Sequence, residues 1–318
     1  MRVHIVGGTG FVGRALVDFA HSVGGQSGVE VSISSRNRPV PDLGVEWFRW
    51  DVTEDSPRFP DFDGVIHAAT PVSVEMNAAQ PSRMYGEIVE GAMNVANLCA
   101  RQRKRPHLVY LSSGAVYGEM PPSTFAWRED SALNFKPFGR GNAYALGKVS
   151  AEALLSIRSI ESRFPLTIAR LFAFSGPHLP VDKHFAVGNF VRDAMSGGPI
   201  KVRGSGRAIR SYLDSRDMAQ WLFASLDRSS AYGKIIHVGS SKGLTIGELA
   251  SEISRLSVDF LGSAAEVVVE NRVSEFDGLE RYVPSTKATE RLLGVSAKVN
   301  LEDSLLAMMH ARLLPDQC

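Results

Sequence analysis

The feature that most constrains the fold of this chain is a glycine-rich turn at residues 7–13. It follows a short β-branched run at residues 3–6 and leads directly into apolar residues at helical spacing. A tight strand-to-helix turn needs glycine at positive φ, and a helix N-terminus offers N–H groups and a positive dipole end to an anion. The turn therefore predicts a dinucleotide pyrophosphate site, although a glycine turn without a ligand is the alternative. The residues predicted to form this site are Gly7, Gly10, Phe11, Val12 and Gly13.

Short β-branched runs alternate along the chain with segments of helical apolar spacing. Such alternation is typical of a parallel sheet whose strands are joined by helices. It predicts an α/β fold, a Rossmann-type doubly wound parallel sheet. The predicted strands lie at residues 29–34, 64–69, 108–112, 166–172 and 234–238, and the predicted helices at residues 81–103, 144–159, 214–226 and 245–256.

The C-terminal part of the chain differs in texture, because glycine and proline punctuate it after residue 174. This change predicts a dinucleotide-binding domain at residues 1–170, with returning elements around residues 208–240. Residues 171–318 are predicted to form a smaller substrate-binding cap that is intertwined with the first domain.

The composition is that of an ordinary globular protein, with 44% hydrophobic and 22% charged residues, so disorder is not expected. A formal net charge of +1 gives no electrostatic reason to expect nucleic acid or an anionic membrane as a partner. Two cysteines, Cys99 and Cys318, cannot build a disulfide framework, and no apolar run reaches membrane-spanning length. We therefore expect a cytoplasmic protein with no membrane segment, and no metal site is predicted.

A tyrosine and a lysine four residues apart, Tyr144 and Lys148, share one face of the predicted helix at residues 144–159. A phenol with a pKa of about 10 is a poor catalyst at neutral pH, but a lysine and a cationic nicotinamide ring would both lower that pKa. Ser113 follows the predicted strand at residues 108–112 and adds a hydroxyl. The alternative is that Ser113 only caps its loop and Tyr144 only packs.

The glycine spacing, the serine and the Tyr-x-x-x-Lys pair together resemble the extended branch of the short-chain dehydrogenase/reductase superfamily, which contains nucleotide-sugar epimerases, dehydratases and reductases. The resemblance covers nearly the whole chain. It implies that Ser113 hydrogen-bonds the substrate oxygen, that Tyr144 donates the proton and that Lys148 holds the cofactor ribose. It also implies a homodimer formed through the helices predicted at residues 81–103 and 144–159.

The chain departs from the pattern of this family directly after the catalytic hydroxyl. The sugar dehydratases carry an Asp-Glu pair there, whereas this chain has Gly114 and Ala115, which cannot transfer a proton. Dehydration is therefore not expected, and hydride transfer at a carbinol or ketone is favoured. Ala173 and Ile88 also stand where many members carry an asparagine.

The end of the second predicted strand indicates which nicotinamide cofactor is bound. NAD-selective members carry a carboxylate there, but this chain has Ser35 followed by Arg36. A hydroxyl and a guanidinium suit a 2′-phosphate, so NADP(H) is favoured and NAD(H) stays possible. The alternative is that Arg36 is a solvated loop charge. The resemblance adds contacts to the adenine and the inner ribose from Asp51, Val52, Ala68 and Ala69.

The predicted substrate residues lie in the C-terminal part. Residues 204–214 resemble the family's Gly-x-Gly…Arg-Asp-Tyr segment, in which the arginine clamps a nucleotide diphosphate, and Arg210 is the matching residue. Its alternative role is an ion pair with Asp214 or Asp217. Asn189 and Arg272 are further candidates for the substrate site.

These observations favour an NADPH-dependent reductase of a nucleotide-linked keto-sugar, a 4-keto-6-deoxy sugar in deoxysugar biosynthesis. The runner-up is a nucleotide-sugar 4-epimerase that uses the same residues. A non-catalytic dinucleotide sensor is a third possibility. Because a sensor has no need of a serine, a tyrosine and a lysine in this arrangement, an enzyme is favoured.

Overall fold

The computed structural model describes residues 1–71, 73–134, 142–183, 185–270 and 280–313. The strands are β1 (Arg2–Val6), β2 (Glu30–Ser35), β3 (Glu46–Arg49), β4 (Gly64–His67), β5 (His107–Ser113), β6 (Leu166–Leu171), β7 (Ala173–Ser175), β8 (Ile200–Arg203), β9 (Ile209–Asp214), β10 (Lys234–Val238), β11 (Gly243–Thr245), β12 (Val267–Glu270) and β13 (Arg281–Tyr282). The helices are α1 (Phe11–Ser27), α2 (Val74–Ala79), α3 (Pro81–Arg101), α4 (Ala143–Ser162), α5 (Ala186–Met195), α6 (Ser215–Asp227), α7 (Ile246–Leu261), α8 (Lys287–Leu293) and α9 (Leu301–Leu313).

Seven strands from the described part of the chain form one parallel sheet in the order β10-β6-β5-β4-β1-β2-β3. The chain runs outward from β1 to β3 on one side and from β4 to β10 on the other. This order confirms the predicted doubly wound α/β fold. The direction changes between β1 and β4, and ligands of such sheets bind beyond the carboxyl ends of the strands at this point.

Helices cover both faces of the parallel sheet. On one face, α1 and α6 pack against it in a core that includes Leu16 and Trp221. On the other face, α3 and α4 form a second core with the sheet. The apolar stripe of α3 is buried within the chain and so gives no argument for association, and a homodimer stays a prediction. The stripe consists of Met84, Ile88, Ala92, Val95 and Leu98.

The predicted strands and helices of the sheet lie within a few residues of the observed ones, but β3 was not predicted from the sequence. It is a four-residue strand at the edge of the sheet, paired with β2 alone. Its burial does not alternate along the strand, because neither face is fully covered. A strand of this kind leaves no period-two pattern in the sequence.

The C-terminal part adds a smaller sheet in the order β11-β9-β13, with β7 also paired with β9, and a two-stranded sheet of β8 and β12. The helices α5, α7 and α9 enclose a third core. The register of β13 on β9 places Tyr282 opposite Arg210. The strand β10 lies outside this region and completes the large sheet beside β6. No helix in the described ranges combines the length and hydropathy needed to cross a membrane.

Candidate active site

The glycine turn between β1 and α1 has three glycines that the fold requires, Gly7, Gly8 and Gly13, and one that it does not. A Cβ on Gly8 would lie 2.4 Å from the Cβ of Ile33. Gly7 has a φ of +89°, and a Cβ there would lie 2.6 Å from the Ala69 nitrogen. A Cβ on Gly13 would lie 2.5 Å from the Gly7 oxygen. On exposed Gly10, however, the nearest atom to a Cβ is the Gly7 oxygen at 3.6 Å, an ordinary contact. The missing side chain of Gly10 therefore leaves the helix N-terminus open to a ligand.

The first turn of α1 fits the pyrophosphate of a dinucleotide. Its N-cap residue, Gly10, has extended backbone and provides no side-chain hydrogen bond, and the turn carries no acidic residue. The N–H groups at this helix end, including those of half-buried Phe11 and Val12, thus meet no competing side-chain anion. Together with the open space at Gly10, they form a cradle for two phosphates.

The three predicted catalytic residues come together at the carboxyl end of β5. Ser113 ends this strand, and its Oγ accepts a hydrogen bond from the Ala115 N–H at 3.1 Å. Tyr144 lies in the first turn of α4 and hydrogen-bonds Ser113 through its side chain. Lys148 is buried one turn later, and its Nζ lies 5.8 Å from the centre of the Tyr144 ring.

The lysine is held by two oxygens of the protein. Its Nζ donates hydrogen bonds to Thr70 Oγ1 at 2.8 Å and to the Leu111 carbonyl at 2.6 Å. It also lies 4.8 Å from the centre of the Tyr110 ring. These contacts fix the ammonium between the ends of β4 and β5, beside the glycine turn.

Burial controls the protonation of both residues. It raises the pKa of Tyr144, which the hydrogen bond with Ser113 opposes. It also lowers the pKa of Lys148 to about 7, which the charge of Glu152 opposes. The sequence predicted that Lys148 would lower the pKa of Tyr144, and this expectation was wrong for the protein alone. Desolvation of the phenol is the larger effect, and the ammonium is directed to Thr70 and Leu111.

A buried ion pair lies next to the predicted catalytic residues and is hydrogen-bonded to Ser112. Glu152 lies one turn after Lys148 on α4 and accepts a hydrogen bond from Ser112. Its carboxylate also accepts two hydrogen bonds from Arg170 of β6, at 3.0 and 2.7 Å. The two side chains are only 9% and 6% exposed. This arrangement ties α4 to both β5 and β6.

The ends of β2 and β3 form the predicted adenosine end of the cofactor site. The Ser35 hydroxyl donates to the Asn37 carbonyl at 2.6 Å and accepts from Trp47 Nε1 at 2.9 Å. The Ser35 hydroxyl proton is thus already engaged in a hydrogen bond within the protein. Arg36 is exposed and makes no hydrogen bond or ion pair with any residue that the structure describes. Arg36 is therefore the better placed of the two for a 2′-phosphate.

The remaining predicted cofactor residues surround the same edge of the sheet. The Asp51 carboxylate accepts hydrogen bonds from the N–H and the hydroxyl of Thr53. Val52 packs near Gly91 of α3. Ala68 donates its N–H to the Val6 carbonyl at 2.8 Å and, with Ala69, lies against the glycine turn.

The predicted phosphate clamp, Arg210, is half-buried on β9 and forms an ion pair with exposed Glu280. The alternative to the clamp was an ion pair with Asp214 or Asp217, and Arg210 pairs with neither of them. Its role as a phosphate clamp stays a prediction. Asp214 pairs with Arg216. Asp217 accepts hydrogen bonds from two backbone N–H groups, those of residues 298 and 299.

The two other predicted substrate residues are Asn189 and Arg272. Asn189 is half-buried on α5, where its side-chain oxygen accepts a hydrogen bond from Arg192 at 3.2 Å. Arg272 lies outside the described residues.

One residue of the site was missed from the sequence. Tyr282 of β13 has its hydroxyl 3.3 Å from Ser113 Oγ, and its ring centre lies 4.9 Å from that of Phe172. The two residues of β13 are too few to give a periodic signal, and Tyr282 is 169 positions from Ser113. Only the pairing of β13 with β9 brings it to the site.

The chain is similar to known proteins over nearly its whole length. The sequence model of the NAD dependent epimerase/dehydratase family matches residues 3–239. UDP-glucuronic acid decarboxylase 6 of Arabidopsis thaliana is 28% identical over 315 residues, which cover 97% of this chain and 88% of that protein. UDP-glucuronic acid decarboxylase 1 of Xenopus tropicalis is 27% identical over 314 residues, 97% of this chain and 71% of that protein.

A solved structure with a similar fold is the UDP-glucose 4-epimerase of Thermotoga maritima with UDP-glucose. It has a TM-score of 0.83 at 18% identity, covering 98% of this chain and 99% of that one. The UDP-glucuronic acid 4-epimerase of Bacillus cereus, in complex with UDP-glucuronic acid and NAD, has a TM-score of 0.78 at 20% identity, covering 99% and 100%.

Proposed function

The chain belongs to the NAD dependent epimerase/dehydratase family, and from this premise we propose that it reduces a nucleotide-linked keto-sugar with NADPH. The substrate we favour is a 4-keto-6-deoxy sugar. One observation carries the proposal: Ser113, Tyr144 and Lys148 meet beside a helix N-terminus suited to a dinucleotide, with no acidic residue directly after the serine.

The residues of this chain have distinct tasks in such a reduction. The nicotinamide cofactor supplies the hydride. Ser113 donates a hydrogen bond to the carbonyl oxygen of the sugar, and Tyr144 delivers its phenolic proton to the same oxygen. Lys148, buried one turn after Tyr144, would hold the cofactor ribose through its Nζ.

Reduction is favoured over elimination of water because of the space around Gly114. A Cβ at this position would lie 2.5 Å from the Phe172 ring and 2.8 Å from the Tyr282 hydroxyl. An acidic side chain like that of the sugar dehydratases therefore has no room here. The nearby carboxylate of Glu152 is engaged by Ser112 and Arg170.

NADP(H) is proposed as the cofactor because Arg36 is exposed and lies directly after β2. A guanidinium in that position can pair with a 2′-phosphate. Ser35 supports the proposal less than the sequence suggested, since its proton is donated to Asn37.

A nucleotide-sugar 4-epimerase is the second candidate. The Ser35 hydroxyl donates to Asn37, which weakens the case for NADPH, and an epimerase does not need a reduced cofactor. Two of the similar structures are also those of 4-epimerases. In that reaction the hydride leaves the sugar and returns to the opposite face, so no cofactor is consumed. The same Ser113, Tyr144 and Lys148 would serve.

The two candidates are separated by giving the purified protein NADPH and a panel of 4-keto-6-deoxyglucose nucleotides that carry dTDP, CDP, GDP or UDP. A reductase consumes one NADPH for each product molecule, which NADPH absorbance and chromatography of the sugar nucleotides follow together. A parallel reaction with UDP-glucose and NAD⁺ tests the epimerase. Steady product formation there, without net change in cofactor, would overturn the reductase in favour of the epimerase.

A further inference from the structure

Tyr282, on strand β13 of the C-terminal cap, places a second phenol next to Ser113 and Tyr144. The Tyr282 hydroxyl lies 3.3 Å from Ser113 Oγ and 3.4 Å from the Leu171 carbonyl. Both distances exceed the usual range for O–H···O hydrogen bonds, which ends at about 3.0 Å. Its proton is thus weakly bound within the protein and free to turn to a better acceptor.

The position of this phenol is tied to the glycine that follows the catalytic serine. The Tyr282 hydroxyl would lie 2.8 Å from a Cβ on Gly114, so any larger residue at 114 must displace it. Phe172 closes the same space from the other side and packs on the Tyr282 ring. Gly114 thus leaves room for the hydroxyl of Tyr282, which comes from the cap. The sugar dehydratases, which the sequence resembles, carry an acidic side chain at this position instead.

Ser113 is the common neighbour of the two phenols, since it hydrogen-bonds Tyr144 and also contacts Tyr282. In the reaction proposed above, Ser113 and Tyr144 occupy the two lone pairs of the reacting oxygen. The Tyr282 hydroxyl, 3.3 Å from Ser113 Oγ, is therefore within reach of a polar group next to that oxygen.

We propose that Tyr282 binds the sugar, donating its phenolic hydrogen to an oxygen next to the reacting carbon. This role rests on the proposed function, because it needs a nucleotide sugar bound to Ser113 and Tyr144. Burial raises the pKa of Tyr282, so the phenol stays a neutral hydrogen-bond donor across the working range of pH. The residue sets which sugars fit and does not supply the proton for the reaction.

The test compares ligands with and without the sugar. Protein saturated with NADP⁺ is titrated in a calorimeter with the nucleoside diphosphates UDP, dTDP, CDP and GDP and with the glucose derivative of each. Tyr282→Phe should weaken the glucose derivative by about 3- to 10-fold, the effect of losing one neutral hydrogen bond. The affinity for the matching diphosphate should not change.

Tyr85→Phe is the control, because this phenol is exposed on α3 and its hydroxyl bonds Ser150, outside the site. It should leave both affinities unchanged, and thermal unfolding should show both variants folded. Equal binding of the glucose derivative by Tyr282→Phe and wild type, or an equal loss for diphosphate and sugar, would overturn the role of Tyr282. Binding of no nucleotide sugar by wild type would instead overturn the proposed function.

Discussion

The two sides of the candidate site are built differently. On the sheet side, the strand and the helix that carry Ser113 and Lys148 are joined by the Glu152–Arg170 ion pair and Ser112, and this pair is nearly excluded from solvent. On the cap side, Arg210 is paired with Glu280, whose side chain is 71% exposed, and the Tyr282 hydroxyl makes long hydrogen bonds to Ser113 and Leu171. The difference shows that the sheet side is held by buried polar contacts, while residues of the cap side are paired in solvent and can change at small cost in stability.

The largest difference between the two sides is expected in stability. Glu152→Gln leaves the guanidinium of Arg170 buried without a counter-charge, and should lower the free energy of unfolding by about 3 to 5 kcal/mol. Glu280→Gln breaks a solvent-exposed pair, so its cost should be below about 1 kcal/mol. Urea denaturation of the two variants measures both effects. Similar losses in the two would break the comparison.

A large effect on turnover is expected from Tyr144→Phe, which keeps the ring and removes the proton donor. Turnover should fall by about 100-fold or more, the usual scale for losing general acid catalysis. Binding of the dinucleotide should persist, because the glycine turn is untouched, and fluorescence titration with NADPH checks it. Turnover close to that of wild type would refute the role assigned to Tyr144.

The cofactor end of the sheet side should respond to Ser35→Asp combined with Arg36→Asn. A carboxylate repels a 2′-phosphate and accepts the free ribose hydroxyls, so preference should move from NADPH to NADH by about 10-fold or more. The ratio of the two dissociation constants, measured on wild type and variant, gives the result. A wild type that already prefers NADH would contradict the proposed cofactor before any change is made.

The smallest effect expected is that of pH on cofactor affinity. Burial holds the pKa of Lys148 at about 7, so the side chain is an ammonium below that pH and an amine above it. An anionic dinucleotide favours the ammonium, so affinity should fall as pH rises, by about 10-fold between about pH 6 and pH 8. NADH titrations across this range measure it, because NADH lacks the 2′-phosphate, which itself ionises with a pKa of about 6. Lys148→Met is the control and should show a flat profile, and a flat profile in wild type would contradict the assignment.

Much of the sheet side could be predicted from the sequence, because its signals are local. The glycine turn, Ser113 after its strand, and Tyr144 and Lys148 one turn apart are each short patterns with a direct physical reason. The alternation of strands and helices predicted the α/β fold, and the observed strand order of the sheet confirms it. The edge strand β3 and the short strands of the cap leave no such pattern and were missed.

The sequence by itself determined the α/β fold, the cradle at the start of α1 and the family, since each depends on residues close together in the chain. Only the tertiary structure decided that the Ser35 hydroxyl donates to the Asn37 carbonyl and accepts from Trp47. It also decided that Arg210 pairs with Glu280, 70 positions away. It also brought Tyr282 to Ser113 across 169 positions. These contacts depend on how the cap strands pair and pack, and no local pattern of residues records that pairing.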